Sequence, residues 1–166
     1  MVLYIIYMSK QSKSKKVIYI IAGFIIALAI AVATILIYRA TPFEKAVIDS
    51  EYVGSTELRI IDAEEYEKMV SEGKSFILTS YLPTCTARMI KFSQNISEEK
   101  NISLFYMDWS DIKKTSLKDV VEFSPSAIII SKGKPIAHLN ANSNDDIEKY
   151  NNYDVFKAWI EENVTF

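Results

Sequence analysis

The sequence predicts an α/β domain, a central mixed sheet flanked by helices, preceded by one transmembrane helix. Three observations carry this reading. An uncharged run of 22 residues, Val17 to Tyr38, lies near the start of the chain. After it, helical and strand patterns alternate in the order α-β-α-β-α-β-β-α. The last two strands flank a glycine-centred turn, Lys132-Gly133-Lys134. Alternation of this kind implies a parallel portion, and the turn implies a closing hairpin.

The apolar run is long enough, as a helix rising about 1.5 Å per residue, to span the roughly 30 Å hydrocarbon core of a bilayer. A helix satisfies all of its backbone amides internally, as that medium requires. Lys10, Lys13, Lys15 and Lys16 precede the run, and only Arg39 and Lys45 follow it closely. The positive-inside bias then puts the N-terminus in the cytoplasm and the remainder outside the cell membrane. The competing reading is a cleaved signal peptide, whose apolar region is usually about 7–15 residues, shorter than this one. The expected organisation is a cytoplasmic tail over 1–16, a single-pass anchor over 17–38, a linker or short helix over 39–61 and a folded domain over 62–166.

Within the domain, Asp62 is an N-cap before Ala63 to Val70, with acids in the first turn where the helix dipole prefers them. Gly73 closes that helix. Ser75 to Tyr81 is short, apolar and aromatic, and reads as a buried strand. A helix from about Cys85 to Asn95 follows, placing Met89, Phe92 and Ile96 at helical spacing. Ile102 to Met107 reads as a second strand, Leu117 to Phe123 as a short helix, and Ala127 to Ile130 as a third strand. Pro135 to Leu139 completes the hairpin, and Asp154 to Asn163 is a closing helix with Val155, Phe156, Trp159 and Ile160 inward.

Charge and composition exclude several classes of function. All 21 acidic residues follow Arg39, against 14 basic ones, so the segment beyond the anchor carries a net −7. That argues against nucleic acid as a partner. The single histidine, His138, and the single cysteine, Cys85, cannot furnish a four-ligand zinc site, so no metal is expected, and nothing in the sequence calls for a cofactor. One cysteine also means no internal disulfide.

One constellation carries chemistry. A strand ends, a turn follows, and a cysteine opens a helix in Tyr81-Leu82-Pro83-Thr84-Cys85-Thr86-Ala87-Arg88-Met89. Forty residues after the cysteine, Ser124-Pro125-Ser126 stands just before a strand, and the glycine hairpin follows. This order resembles the thioredoxin-like superfamily. Within it, the chain looks most like the bacteriocin transport accessory proteins of Gram-positive bacteria, through Asp62-Ala63-Glu64-Glu65-Tyr66, Gly73-Lys74-Ser75-Phe76-Ile77 and the Thr84-Cys85-Thr86-Ala87 stretch. It departs from their two-cysteine site because Arg88 stands where the second cysteine would be, so the C-x-x-C site is degenerate.

The resemblance implies a thioredoxin-like fold with Cys85 as nucleophile at a helix N-terminus. A helix N-terminus lowers a thiol's pKa, and Arg88 one turn on would add to the effect as thiolate stabiliser. Disulfide exchange runs through thiolate attack and a mixed disulfide, and without a second cysteine the mixed disulfide needs an external thiol for release. Thr79 stands where active relatives carry a buried acid. Pro125 is implied to be cis, and Thr84, Ser124 and Pro125 to hold an extended peptide by strand addition. The expected function is a membrane-anchored, extracytoplasmic single-cysteine protein acting by monothiol exchange or mixed disulfide on secreted or membrane partners. The alternative is a non-catalytic binding or accessory module for a transport, secretion or bacteriocin system.

Overall fold

The structure, a computed structural model, describes residues 23–32, 44–82 and 87–166. The chain divides into two compact units, Met1–Phe43 and Glu44–Phe166. In the first, residues 23–32 form a helix, α1. Most of the run expected as the membrane anchor lies outside the described residues. Among the described residues, no helix is long and apolar enough to cross a membrane.

The second unit is a five-stranded mixed sheet covered by helices. Its strands are β2 (Leu58–Ile60), β3 (Phe76–Tyr81), β4 (Leu104–Asp108), β5 (Ser126–Ser131) and β6 (Lys134–His138), in the order β2-β4-β3-β5-β6. β2 and β3 run parallel to β4, with Leu58 opposite Leu104 and Leu78 opposite Phe105. β5 is antiparallel to both β3 and β6, with a register shift between Ile129 and Ile130. The central strands are apolar along nearly their whole length because helices cover both faces. A separate parallel pair, β1 (Ala46–Val47) with β7 (Val164–Thr165), joins the two ends of the unit.

Local chemistry explains most of the helices. In α2 (Ala63–Ser71), the Asp62 side chain accepts from the Glu65 amide at 2.9 Å, and Tyr66 and Met69 point into the core. Gly73, at φ +71°, lets the chain turn out of α2 while its amide bonds to the Val70 carbonyl. In α3 (Ala87–Lys100), Met89, Ser93, Ile96 and Ser97 form one buried stripe. This helix runs about a turn past the expected end at Asn95, because Ile96 and Ser97 continue the buried face. Beyond it the Ser97 hydroxyl donates to the Ile102 carbonyl at 2.6 Å, and Asn101 takes a left-handed φ of 52°.

Two expectations are corrected. The stretch from Leu117 to Phe123 is not a helix. A short helix α4 (Trp109–Ile112) starts directly at the end of β4, because the Asp108 carboxylate accepts from the Ser110 amide at 2.7 Å. A 3₁₀ turn, Ser116–Asp119, follows, with the Thr115 hydroxyl capping the Leu117 amide. The residue before a proline is disfavoured in helical conformation, which suits the absence of helix between the 3₁₀ turn and Pro125. Nor is the stretch before Asp62 only a linker: from Ala46 it supplies β1, a 3₁₀ turn at Ser50–Tyr52, and the edge strand β2. Tyr52 is a core residue, its ring 4.9 Å from that of Phe105 in an edge-to-face contact.

Two helices close the unit. α5 (Ile147–Asn151) was not expected; α6 (Tyr153–Asn163) was, and it buries Phe156 and Ile160 while Trp159 packs at its margin. The Asn152 side chain caps α6 by accepting from the Asp154 amide at 3.0 Å.

Candidate functional site

The site is built where β3 ends, α3 begins and the chain turns into β5. Residues 83–86 lie outside the described residues, so Thr84 and Cys85 are not placed. Their flanks are placed. β3 leads to Leu82, and α3 resumes at Ala87 with Arg88 exposed on its first turn.

The interior behind this turn is neutral and satisfied. Thr79 is buried on β3, and its hydroxyl lies 3.1 Å from that of Ser93, also buried, on α3. The position six residues before Cys85 thus holds a hydroxyl pair and no carboxylate. The Tyr106 phenol near Ser93 has its pKa pushed up to about 12 by burial, with the Ser93 hydroxyl opposing. No titratable carboxyl or imidazole appears among these buried partners.

A serine network organises the proline turn. The Ser124–Pro125 bond is cis. Ser80, fully buried on β3, donates its hydroxyl to Ser124 Oγ at 3.2 Å and accepts from the Ser126 amide at 2.9 Å. The Ser126 hydroxyl in turn donates to the Leu139 carbonyl at the end of β6. One side chain on the central strand therefore holds both residues flanking Pro125. Sequence reasoning singled out Ser124 and Pro125 but missed Ser80 and Ser126. The available signal was two hydroxyls interrupting otherwise apolar strands.

α5 reaches both halves of the site through consecutive residues. The Tyr150 hydroxyl donates to the Pro125 carbonyl at 2.9 Å, and the Asn151 side-chain carbonyl accepts from the Arg88 guanidinium. Burial, reinforced by the Asp146 charge, raises the Tyr150 phenol well above its ordinary pKa, so it remains a proton donor. The loop before α5 is closed by Asp146, which accepts from the Asn140 amide at 2.9 Å and from Lys149 at 2.8 Å. Burial pushes the Asp146 pKa up, but these hydrogen bonds and the Lys149 charge outweigh it and hold the carboxyl below its usual range. A carboxyl with a depressed folded-state pKa stabilises the fold above its unfolded value and loses that contribution as pH falls through the folded one. The loop that leads into α5, and through it Tyr150, is therefore an acid-sensitive part of the site.

The remaining polar candidates are used structurally. Asp111 pairs with Lys114, and Trp109 lies under the Lys113 ammonium at 5.2 Å. His138 sits on β6, half-buried. Two hollows adjoin the first half of α3. One, of about 250 Å³, is apolar and lined by Leu58, Ile60, Tyr81, Ile90 and Tyr106. The other, of about 750 Å³, lies between the first half of α3 and the α5–α6 junction.

The strand order, the parallel-then-antiparallel sheet and the proline turn entering β5 define an α/β, thioredoxin-like fold. Solved structures similar to the chain are thioredoxin-fold proteins. A chain of a ferredoxin:thioredoxin reductase–thioredoxin f2 complex is 16% identical, with 66% of this chain and 96% of that chain covered at a TM-score of 0.49. Thioredoxin f from spinach chloroplast is 15% identical, covering 65% and 87%, at 0.47. A thioredoxin mutant from Halobacterium salinarum is 12% identical, covering 69% and 96%, at 0.46. At these values nothing about activity follows from the likeness. No protein-family model matches the chain, and no curated protein does.

Proposed function

We propose that this chain is a membrane-anchored, extracytoplasmic thioredoxin-like protein whose single cysteine, Cys85, exchanges with disulfides of secreted or membrane proteins. The observation that carries the reading is Arg88, which occupies the exposed first turn of α3 where a resolving cysteine would be needed. In the forward step, the Cys85 thiolate attacks one sulfur of a partner disulfide. The partner's S–S bond breaks, a new S–S bond joins Cys85 to the attacked sulfur, and the other partner sulfur leaves as a thiolate. Release requires a second, external thiolate to attack the mixed disulfide and expel Cys85. Ser124 and Pro125, held by Ser80 and Tyr150, would present backbone groups to the partner's extended segment, and the resemblance assigns Thr84 to the same peptide contact.

The test is the alkylation rate of Cys85 against pH, on the native chain and on Arg88→Ala. The expected midpoint lies below the ordinary thiol value of about 8.5 and rises in the variant. A midpoint at or above that value, or a thiol that alkylates only in denaturant, ends the thiol reading.

A second reading is supported by the neutral Thr79–Ser93 pair and by the Arg88–Asn151 contact, neither of which serves redox turnover. In it the domain is a non-catalytic binding or accessory module for a transport, secretion or bacteriocin system. Both readings place the folded unit outside the cell membrane. Protease added to intact cells should remove the unit from Glu44 onward and spare the preceding segment. Protection of the unit would overturn the orientation.

A further inference from the structure

The hollow between α3 and the α5–α6 junction has a chemistry of its own. Arg88, Lys91 and Asn95 follow one another along one face of α3, and Asn151 and Tyr153 form the opposite wall. The Phe92 ring lies 5.5 Å from that of Tyr153, giving the groove an aromatic floor. None of the described residues lining it is acidic, in a unit that carries 21 acidic residues against 14 basic ones. Among the described residues neither Lys91 nor Arg88 makes an ion pair, and the Arg88 guanidinium donates to the neutral Asn151 amide. Farther along α3, Glu99 accepts from the Tyr153 hydroxyl and is already paired with Lys157, so its charge is engaged away from the two cations.

We propose that this groove receives an acidic segment of the domain's protein partner. A carboxylate offers Arg88 two acceptors that the planar guanidinium can meet at once, with opposite charge on both partners, in place of the single neutral acceptor on Asn151. Lys91, one turn on, takes a second carboxylate. The peptide backbone then lies over Phe92 and Tyr153, with the amides of Asn95 and Asn151 within the walls to bond it. An anionic lipid surface is the less favoured occupant. The site is concave, and the unit's net −7 charge is repelled by such a surface. The proposal deepens the reading of a protein-binding domain and rests on it only in naming the partner. The thiol chemistry of Cys85 is not needed for it.

The experiment uses the full-length chain in zwitterionic detergent. The probe is a short fluorescein-labelled peptide of alternating glutamate and alanine, read by anisotropy, with the glutamine counterpart as control. The glutamate peptide should bind at least about tenfold more tightly, and the difference should shrink as salt approaches about 0.15 M. Lys91→Glu should weaken binding by about tenfold while leaving alkylation of Cys85 unchanged. Lys91→Gln, a milder change at an exposed position, should weaken it by a smaller factor. Equal binding of the two peptides, indifference to both Lys91 variants, or binding to anionic vesicles in preference to the glutamate peptide would each overturn the proposal. Peptide binding with an inert Cys85 would leave this proposal standing and remove only the thiol reading. A reactive Cys85 with no peptide discrimination would do the reverse.

Discussion

Phe105→Ala should cost the folded unit about 3–5 kcal/mol, the range for deleting a buried aromatic ring. Phe105 lies fully buried on β4, in the middle of the sheet. Its ring meets Tyr52 edge-on at 4.9 Å and Phe76 at 5.3 Å, and Phe76 extends the contact to Tyr66 at 6.2 Å. The Arg59 guanidinium covers the same ring at 5.4 Å. These partners come from β2, β3, α2 and the turn before β2, so the cavity would lie where four segments converge. A folded unit of this size has only about 5–15 kcal/mol to lose. Urea unfolding of the full-length chain, followed by fluorescence of Trp109 and Trp159, should show a much earlier midpoint. A shift equivalent to less than about 1 kcal/mol would mean that the cluster is not the centre of the core.

Gly133→Ala should cost roughly 2–4 kcal/mol, through two separate effects. Lys132 and Gly133 form the two-residue turn between β5 and β6, with φ of 51° and 73°. Positive φ at both positions matches the tight hairpin turn whose twist suits the flanking strands. A side chain at Gly133 meets the conformational cost of the left-handed region. It also meets a wall, since an added Cβ would lie 2.3 Å from the Val70 carbonyl oxygen at the end of α2. To relieve the overlap, the hairpin would have to move from α2, weakening the 2.8 Å bond from the Gly133 amide to the Lys74 carbonyl. Gly54 provides the control. Its φ is also positive, at 89°, but nothing lies within 4 Å of an added Cβ. Gly54→Ala should therefore carry the conformational cost alone, about 1–2 kcal/mol. Equal midpoints for the two variants would show that contact with α2 contributes nothing.

How much of this was legible beforehand depends on how locally each feature is encoded. β3 and β5 could be read because a strand buried on both faces is a continuous apolar run, as in Phe76-Ile77-Leu78 and Ala127-Ile128-Ile129-Ile130. α2 could be read because its cap, its acidic first turn and its closing glycine all lie within about a dozen residues. The proline turn and the glycine hairpin are likewise local, and their order along the chain was enough to expect a thioredoxin-like sheet. The absence of a second cysteine beside Cys85 is a fact of sequence alone.

The rest required tertiary contacts. β2 has only three residues, Leu58-Arg59-Ile60, and exists because β4 offers it a parallel edge. The two-residue strands β1 and β7 exist only as each other's partner across the ends of the unit. α3 extends beyond Asn95 to Lys100 because the core accepts Ser97 beside Ile96; the helical spacing of Ile96 was legible, but a buried serine in a polar stretch was not. The site depends most on such contacts. Ser80 reaches Ser124 across 44 positions, Tyr150 reaches Pro125 across 25, and Asn151 reaches Arg88 across 63. Periodicity and capping act over one or two turns of chain, so residue types and local spacing determined the elements and their order. Which hydroxyl meets which backbone group at the proline turn, and where the Arg88 charge is held, was decided only when the packed sheet and helices brought distant segments together.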